Sequence, residues 1–388
     1  MLELPKNTLK EETISTDEFI TVNGKRFHHI WLYDHCLCPR CHDPSSFQKI
    51  NNLCDREALL QADRTTLPKP KSVEIKDEQL IIDWDENIPH QSIFPVSWLL
   101  SRSYDPIPKP EVPKQQTLWD VALLETNPPE FFEHNVCAFD SWMNQLCSLG
   151  FAVIKKILWE ELESFVSSIG PIYYLAQYGR YSTVKAVPNG GPDLALSAVG
   201  HGLSPHTDMT YILGAPRAVQ FLYCVENEAS GGESIVVDGF RVARDFRHHH
   251  PDYFKILSQT PATFRQLFSS WEYYVSQTTP IFKLDEAGEV SDVYFSHKNF
   301  GLDLPFEKVD SFYEAYYALF RYLNNPAYQY CYRLEPGDCL LVQNFRVLHG
   351  RKAFNPSSGS RHLEVAFVEW SYFKGRQNFY RFKDLYPN

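Results

Sequence analysis

The chain has 388 residues, of which 44% are hydrophobic, 15% aromatic and 22% charged. That is ample apolar material for a large core, and the length suggests two domains or one large domain with an appendage. A formal charge of −11 argues against a nucleic-acid partner, because phosphate binding needs concentrated Lys and Arg. No apolar run approaches the roughly 18 residues of a membrane span, and the polar opening "MLELPKNTLKEETISTDEF" has no signal-peptide pattern. Nine cysteines, an odd number, fit reduced thiols in a cytoplasmic setting and favour metal binding over disulfides.

Residues 1–103 read as a small β-rich domain. "FITVNGKRFHHIWLYD" and "SVEIKDEQLIIDW" are two hairpin-like stretches with turn signals at Asn23-Gly24 and Lys76-Asp77. Between them "WLYDHCLCPRCHD" carries Cys36, Cys38 and Cys41. Three thiolates this close repel one another unless an ion neutralises them, so the cluster points to zinc. His90, in "WDENIPHQSIF", follows a strand able to pair back onto the cluster and is the expected fourth ligand. Four protein ligands leave no open position, so the zinc is structural. The bland alternative is a set of buried reduced thiols.

Residues 104–116, "YDPIPKPEVPKQQ", hold four prolines and no periodicity, and read as a linker. From 117 to 388 the pattern is mixed. Helices are predicted over "FDSWMNQLCSLG", with Gly150 as the C-cap, over "WEELESFVSSIG" and over "DSFYEAYYALFRYLNN". Strands are predicted at "FAVIKKI", "AVQFLYCV", "ESIVVDGF", "DVYFS", "QYCYRL", "DCLLVQN" and "RHLEVAFVEW". The fold class is therefore mainly β with flanking helices. Many short strands with few helices between them suggest an antiparallel double sheet or jelly roll.

Three His-x-Asp/Glu triplets occur, at 206–208, 250–252 and 362–364, and any one alone is explained by a cap or a surface histidine. His250-Pro251-Asp252 opens a probable helix. His206-Thr207-Asp208 instead ends a Gly-rich loop and leads towards a buried strand. On an extended segment residues i and i+2 face one side, so imidazole and carboxylate converge. A second histidine comes from "EPGDCLLVQNFRVLHGR": His349 lies at the far end of a buried strand, and Gly350 allows close backbone approach. Two histidines and one carboxylate with an open face form a non-haem Fe(II) oxygenase site, here His206, Asp208 and His349. Period 2 puts Arg361, Leu363, Val365 and Phe367 on one strand face. There Arg361 makes sense as a clamp for a carboxylate entering the barrel, the alternative being a surface arginine.

"HTD", "SGGESIVVDGF", "LEPGDCLLVQNFRVLHGR" and "SRHLEVAF", in that order over about residues 204–370, resemble the taurine dioxygenase superfamily of Fe(II)/2-oxoglutarate oxygenases. The "WLxDxCxCxxC" segment narrows the resemblance to the γ-butyrobetaine and trimethyllysine dioxygenases. The resemblance implies a double-stranded β-helix core beside the zinc module, a homodimer, and a small-molecule substrate. It implies that Ser234 helps Arg361 hold 2-oxoglutarate. In the family, aromatic rings enclose a trimethylammonium group by cation–π attraction. Tyr178 matches one ring, and Phe367 stands at a family tyrosine. Ser182 stands at a tryptophan position, and Ala198 and Met209 at tyrosines; Ala195 and Ser296 lie near asparagines. Tyr181, Tyr211 and Met209 would build a different cavity, with Arg180 accepting an anionic end group. The expected reaction couples O2 and 2-oxoglutarate to oxidation, by default hydroxylation, of an unactivated C–H, with release of succinate and CO2. Halogenation is disfavoured because Asp208 fills the coordination position a halide needs. Alternatives are action on a phosphonate analogue, desaturation or cyclisation, or a non-catalytic binding protein that kept the fold.

Overall fold

A computed structural model of the chain describes residues 13–43, 45–46, 48–50, 69–86, 88–105, 116–175, 179–186, 199–214, 217–269 and 272–382. Tyr178, Ala195, Ala198, Cys54 and most of the proline-rich stretch lie outside the described residues. Two compact units divide the chain, residues 1–113 with 382–388, and residues 114–381.

The first unit holds two antiparallel three-stranded sheets. One contains β1 (Thr13–Ser15), β2 (Phe19–Val22) and β3 (Lys25–His28); the other contains β4 (Pro70–Lys76), β5 (Gln79–Trp84) and β6 (His90–Pro95). Asn23 (φ 48°) and Gly24 (φ 77°) make the first hairpin turn, as their residue types predict. The strand expected to run through "HHIWLYD" stops at His28. Residues 29–34 form helix α1 instead, because His29, Leu32 and Tyr33 share one helical face and all three are buried. The second hairpin turns at Asp77-Glu78 (φ 51° and 60°), one residue later than predicted. That register buries Leu80, Ile82 and Trp84 together, and a one-residue slip would expose all three. Helix α2 (Val96–Ser101) closes this core through Trp98 and Leu99.

In the second unit, described in chain order, come α3 (Val121–Thr126), β7 (Phe131–Glu133), α4 (Phe139–Leu149), β8 (Phe151–Lys155), α5 (Leu162–Ile169), β9 (Ser182–Lys185) and β10 (Leu203–His206). Then follow β11 (Ala218–Asn227), β12 (Ser234–Asp238), α6 (Gly239–His249), α7 (Pro251–Gln259), β13 (Ala262–Phe268) and β14 (Tyr273–Thr279). The remainder is β15 (Phe282–Leu284), β16 (Val290–Val293), β17 (Phe300–Gly301), α8 (Phe306–Leu323), β18 (Tyr330–Tyr332), β19 (Cys339–Gln343), β20 (Val347–Arg351), β21 (Arg361–Glu369) and α9 (Trp370–Phe382).

Two sheets organise it. A six-stranded sheet runs β7-β8-β19-β11-β21-β9, antiparallel except for the β7–β8 pair, and a four-stranded antiparallel sheet runs β10-β20-β12-β18. Helices α4 and α5 pack their apolar stripes on Val219, Phe221 and Tyr223 of β11 and on Ala366 and Val368 of β21. The alternate residues, Gln220 and Leu222 on β11 and Arg361, Leu363, Val365 and Phe367 on β21, line a cavity. Helices α6, α7 and α8 cover the outer side of β12 and β20, against Ile235, Val237 and Leu348. Helix α6 is a finding that the strand reading of "ESIVVDGF" did not anticipate. Asp238 caps it by accepting from the Phe240 N–H at 3.1 Å, and Phe240, Ala243 and Phe246 give it an i, i+3, i+6 buried stripe.

Candidate active site

Cross-strand pairing brings the candidate metal ligands together. His206 ends β10 and is the direct partner of His349 on β20, so the two imidazoles meet with ring centroids 4.4 Å apart. Gly350 makes that approach possible: a Cβ there would lie 2.6 Å from the Leu203 carbonyl oxygen. Asp208 reaches the pair by a different route from the extended i, i+2 geometry expected of it. The strand stops at His206, and Asp208 sits in the bend that follows. Its backbone is held on both sides by Asn344, which accepts from the Asp208 N–H and donates to the Asp208 carbonyl, each at 2.9 Å. Met209 then turns the chain at φ 61°, a left-handed conformation uncommon for a bulky residue. Thr207, between the ligands, donates its N–H to the Phe295 carbonyl at 2.8 Å and accepts from the Phe295 N–H at 3.0 Å.

The result is a tight donor set. His206 Nε2 lies 3.4 Å from Asp208 Oδ1, and His349 Nε2 lies 3.5 Å from Asp208 Oδ2. One ligand atom from each of the three residues falls within 4.8 Å of the others. His206 Nδ1 is 2.9 Å from the Ser204 carbonyl oxygen, which only accepts, so Nδ1 carries the proton and Nε2 keeps its lone pair. Burial, with help from His206, pushes the His349 imidazole down to about 3, so it is neutral at ordinary pH. Burial works to raise the Asp208 carboxyl, but Lys298 and the two imidazoles hold it well below the usual range. Gln220 fixes its rotation by donating to Oδ2 at 2.8 Å. A cation of the chain itself occupies this donor set: Lys298 Nζ is 3.0 Å from His206 Nε2 and 3.1 Å from Asp208 Oδ1. Two neutral imidazoles and one carboxylate that already attract a positive charge suit a ferrous ion.

The cavity beside these ligands is about 390 Å³. Arg361 lines it, 4% exposed, with its guanidinium 5.4 Å from the Phe354 ring. Among the described residues the Nε of Arg361 has no hydrogen-bond partner, and no carboxylate is among the groups that shift its pKa. Burial lowers its pKa, as expected of a cation awaiting an anion. Gly231 (φ 81°) and Gly232 (φ 79°) form the turn before β12, and a Cβ on Gly232 would lie 3.3 Å from Arg361 Nε. Ser234, buried on β12, also lines the cavity.

Of the side chains expected to contact substrate, Met209, Tyr211 and Phe367 line the cavity. Arg180 and Tyr181 are not among its lining residues. Arg180 is ion-paired with Glu163 at the surface, and Tyr181 packs on the outer core beside α5 with its hydroxyl buried and unpartnered. Ser182 lines the cavity, while Ser296 is buried against Asn299 at 3.1 Å. His362 and Glu364 satisfy each other at 2.8 Å, with Thr183 donating to the same carboxylate, and form no metal site. Gln220, Asn344 and Lys298 were not singled out from the sequence. Their one sequence signal is polarity inside or beside an apolar strand, which burial requires to be satisfied.

In the first unit, Cys36, Cys38 and Cys41 place their sulfurs 3.3, 3.6 and 3.3 Å from His90 Nε2. His90 starts β6 opposite Trp84, and its Nδ1 faces Glu86 Oε1 at 3.4 Å, a typical outer-shell partner for a ligating histidine. The hydrogen bond from Cys41 lowers the Cys36 thiol from its ordinary range, which favours the thiolate that a metal ion needs. Three sulfurs and one imidazole form a closed tetrahedral set suited to structural zinc.

A family model described as "Taurine catabolism dioxygenase TauD, TfdA family" matches residues 130–367. The chain belongs to that family. It is an Fe(II)/2-oxoglutarate-dependent dioxygenase. The γ-butyrobetaine dioxygenase of Pseudomonas sp. (strain AK-1) is 27% identical over 358 residues, covering 88% of this chain and 87% of that protein. The trimethyllysine dioxygenase of Meyerozyma guilliermondii is 26% identical over 381 residues, covering 91% and 90%. Among solved structures, the PvcB protein from Pseudomonas aeruginosa is 18% identical, covering 59% of this chain and 79% of that one at a TM-score of 0.43.

Proposed function

We propose that the enzyme oxidises, by hydroxylation, an unactivated C–H of a small polar, betaine- or amino-acid-like molecule. One observation carries this reading: two imidazoles and one carboxylate meet at the wall of a cavity that also holds a buried arginine, Arg361, whose Nε has no partner among the described residues. Fe(II) with 2-oxoglutarate supplies the O2-dependent oxidising chemistry and releases succinate and CO2.

In this reading His206, Asp208 and His349 hold the iron and Gln220 orients the carboxylate. Arg361 pairs with the distal carboxylate of 2-oxoglutarate, with Ser234 beside it. Met209, Tyr211 and Phe367 exclude water from the substrate side of the cavity. Cys36, Cys38, Cys41 and His90 hold a structural zinc in a β-rich domain, residues 1–103. Residues 104–116 link it to the oxygenase domain, 117–388, whose two sheets form a double-stranded β-helix, or jelly roll. Assembly as a homodimer in the cytoplasm belongs to the same proposal, and among the described residues no helix is long and apolar enough to cross a membrane.

The test is 2-oxoglutarate consumption and succinate formation with Fe(II) and O2 across small ammonium, amino-acid and phosphonate compounds. Substrate-stimulated turnover that is lost in Asp208→Ala supports the assignment. Absence of any Fe(II)-dependent succinate formation, with or without substrate, refutes it.

A further inference from the structure

We propose that Lys298 is the residue that reads the substrate, by pairing with an anionic group, a carboxylate or its equivalent, on a molecule that needs no quaternary ammonium. This rests on the dioxygenase reading of the site. Arg180, the cation expected in that role, is committed to Glu163 outside the cavity, whereas Lys298 lines it.

The placement of Lys298 is built into the fold. It lies in the 3-10 turn His297–Asn299. That turn is anchored by Phe295, which exchanges hydrogen bonds with Thr207, between two of the iron-site ligands. Ser296 Oγ donates to Asn299 Oδ1 at 3.1 Å, and the Asn299 amide donates to the Arg265 carbonyl at 3.3 Å and also to Gln266 on β13. The ammonium thus stands on a pinned backbone, 3.0 Å from His206 Nε2 and 3.1 Å from Asp208 Oδ1. A dication on those donors would repel the ammonium, and the flexible four-carbon stem of Lys298 would let it turn into the adjoining cavity. Asp208 already lies between the two charges, 3.1 Å from the ammonium, and a second anion in the cavity would offset what its shared carboxylate leaves. The co-substrate's distal carboxylate would be claimed by Arg361, and its 2-oxo-acid end by the metal. A carboxylate on the substrate would supply that second anion.

Charge accounting over the described lining agrees. Its described lining carries three side-chain cations, Lys298, Arg351 and Arg361, and one carboxylate, Asp208. The two charges of Fe(II) offset the two of 2-oxoglutarate, and Asp208 offsets one side-chain cation. Two positive charges remain. Arg351 is fixed by the Val199 and His201 carbonyl oxygens at 2.7 and 2.5 Å and by stacking 4.4 Å from Phe354, leaving Lys298 as the mobile one. Such a field repels an ammonium and favours an acid. Aromatic faces in the described lining come from Tyr211 and Phe367, too few to enclose a trimethylammonium group.

Three isosteric probes separate the charges: γ-butyrobetaine, with both; 5,5-dimethylhexanoate, with the negative charge alone; and (4-hydroxybutyl)trimethylammonium, with the positive alone. Binding is measured by calorimetry without O2 on full-length enzyme loaded with zinc, Fe(II) and 2-oxoglutarate, for wild type, Lys298→Met and Lys298→Arg. The expected result is that 5,5-dimethylhexanoate binds at least as well as γ-butyrobetaine and the cationic alcohol does not bind. Lys298→Met should weaken the acid by about tenfold or more, the size of one charge-assisted hydrogen bond, while Lys298→Arg retains part of it and 2-oxoglutarate affinity is unchanged in both. The proposal is overturned if the acid fails to bind wild type, if Lys298→Met binds it equally well, or if the cationic alcohol binds best. Equal weakening of 2-oxoglutarate overturns it too, by assigning Lys298 to the co-substrate. Substrate-independent, Fe(II)-dependent succinate formation is followed in parallel. If that persists while the probes contradict the assignment, the dioxygenase reading stands and Lys298 alone is reassigned.

Discussion

Replacing Arg361 by methionine separates a functional arginine from a structural one. Arg361 is 4% exposed and, among the described residues, its Nε has no hydrogen-bond partner. A buried charge without a partner costs several kcal/mol, so an apolar side chain of similar length should stabilise the protein by roughly 1–4 kcal/mol when 2-oxoglutarate is absent. The same change removes two charge-assisted hydrogen bonds to the co-substrate, each contributing about 1.5 kcal/mol or more, so affinity for 2-oxoglutarate should fall on the order of 100-fold. Arg361→Lys keeps the charge but loses the fork and should fall in between. Thermal unfolding with and without co-substrate reads both effects. Wild type at 100 times its dissociation constant should gain about 2.7 kcal/mol from the ligand, and the methionine variant almost nothing at that concentration. A variant that melts earlier without co-substrate and binds 2-oxoglutarate normally would show that Arg361 serves the fold and would remove the clamp from the mechanism.

Arg346→Met should behave oppositely, losing about 3–5 kcal/mol in denaturant unfolding. Its guanidinium is fully buried on Asp238 at 2.9 Å, with the Ser148 and Thr117 carbonyls each at 2.8 Å, and removing it leaves a carboxylate stranded. Gly232→Ala places a Cβ at φ 79°, 3.3 Å from Arg361 Nε, and should cost about 1–2 kcal/mol while raising the KM for 2-oxoglutarate. His349 titrates near 3 when folded and near 6.5 when unfolded, so the unfolded chain binds the extra proton between those values. Its contribution to metal-free stability is present above about pH 6.5 and is lost as pH falls, by up to about 1.4 kcal/mol per unit. The stability difference between wild type and His349→Gln should shrink over that window, and a constant difference would refute the assignment. Removing zinc with a chelator should expose three thiols to a thiol reagent and raise the emission of Trp84 and Trp98, which are buried in the first unit's core.

Where chemistry fixes both residue type and spacing, the sequence was readable. The alternation of Arg361, Leu363, Val365 and Phe367 places all four in the cavity, because β21 pairs along β11 with its other face under α4 and α5. Cys36, Cys38 and Cys41 needed no fold at all, since they sit within one turn, and His90 needed only the β5–β6 pairing. The Asp208 geometry was misread, because period 2 holds only inside a strand and β10 stops two residues short of it. Helix α6 was missed because "ESIVVDGF" was read as strand to its end, although Asp238 followed by a glycine is also a cap signal.

The cavity's selectivity was illegible for a deeper reason. Arg180 stands between Tyr178 and Tyr181 in the chain, and its charge suits an anionic end group. It precedes β9, however, and a side chain at the edge of the sheet finds the nearest acid, Glu163 on α5, 17 residues away. Lys298 lies 92 residues from His206 and is brought to it where the Thr207 N–H donates to the Phe295 carbonyl and the Thr207 hydroxyl accepts from the Phe295 N–H. No periodicity announces such a contact. His206 and His349 come from strands whose pairing a pattern can reveal, whereas Asp208 and Lys298 arrive from irregular segments packed against those strands. A fold can therefore keep its oxidising centre while one turn, such as 297–299, changes the sign of charge that the cavity accepts.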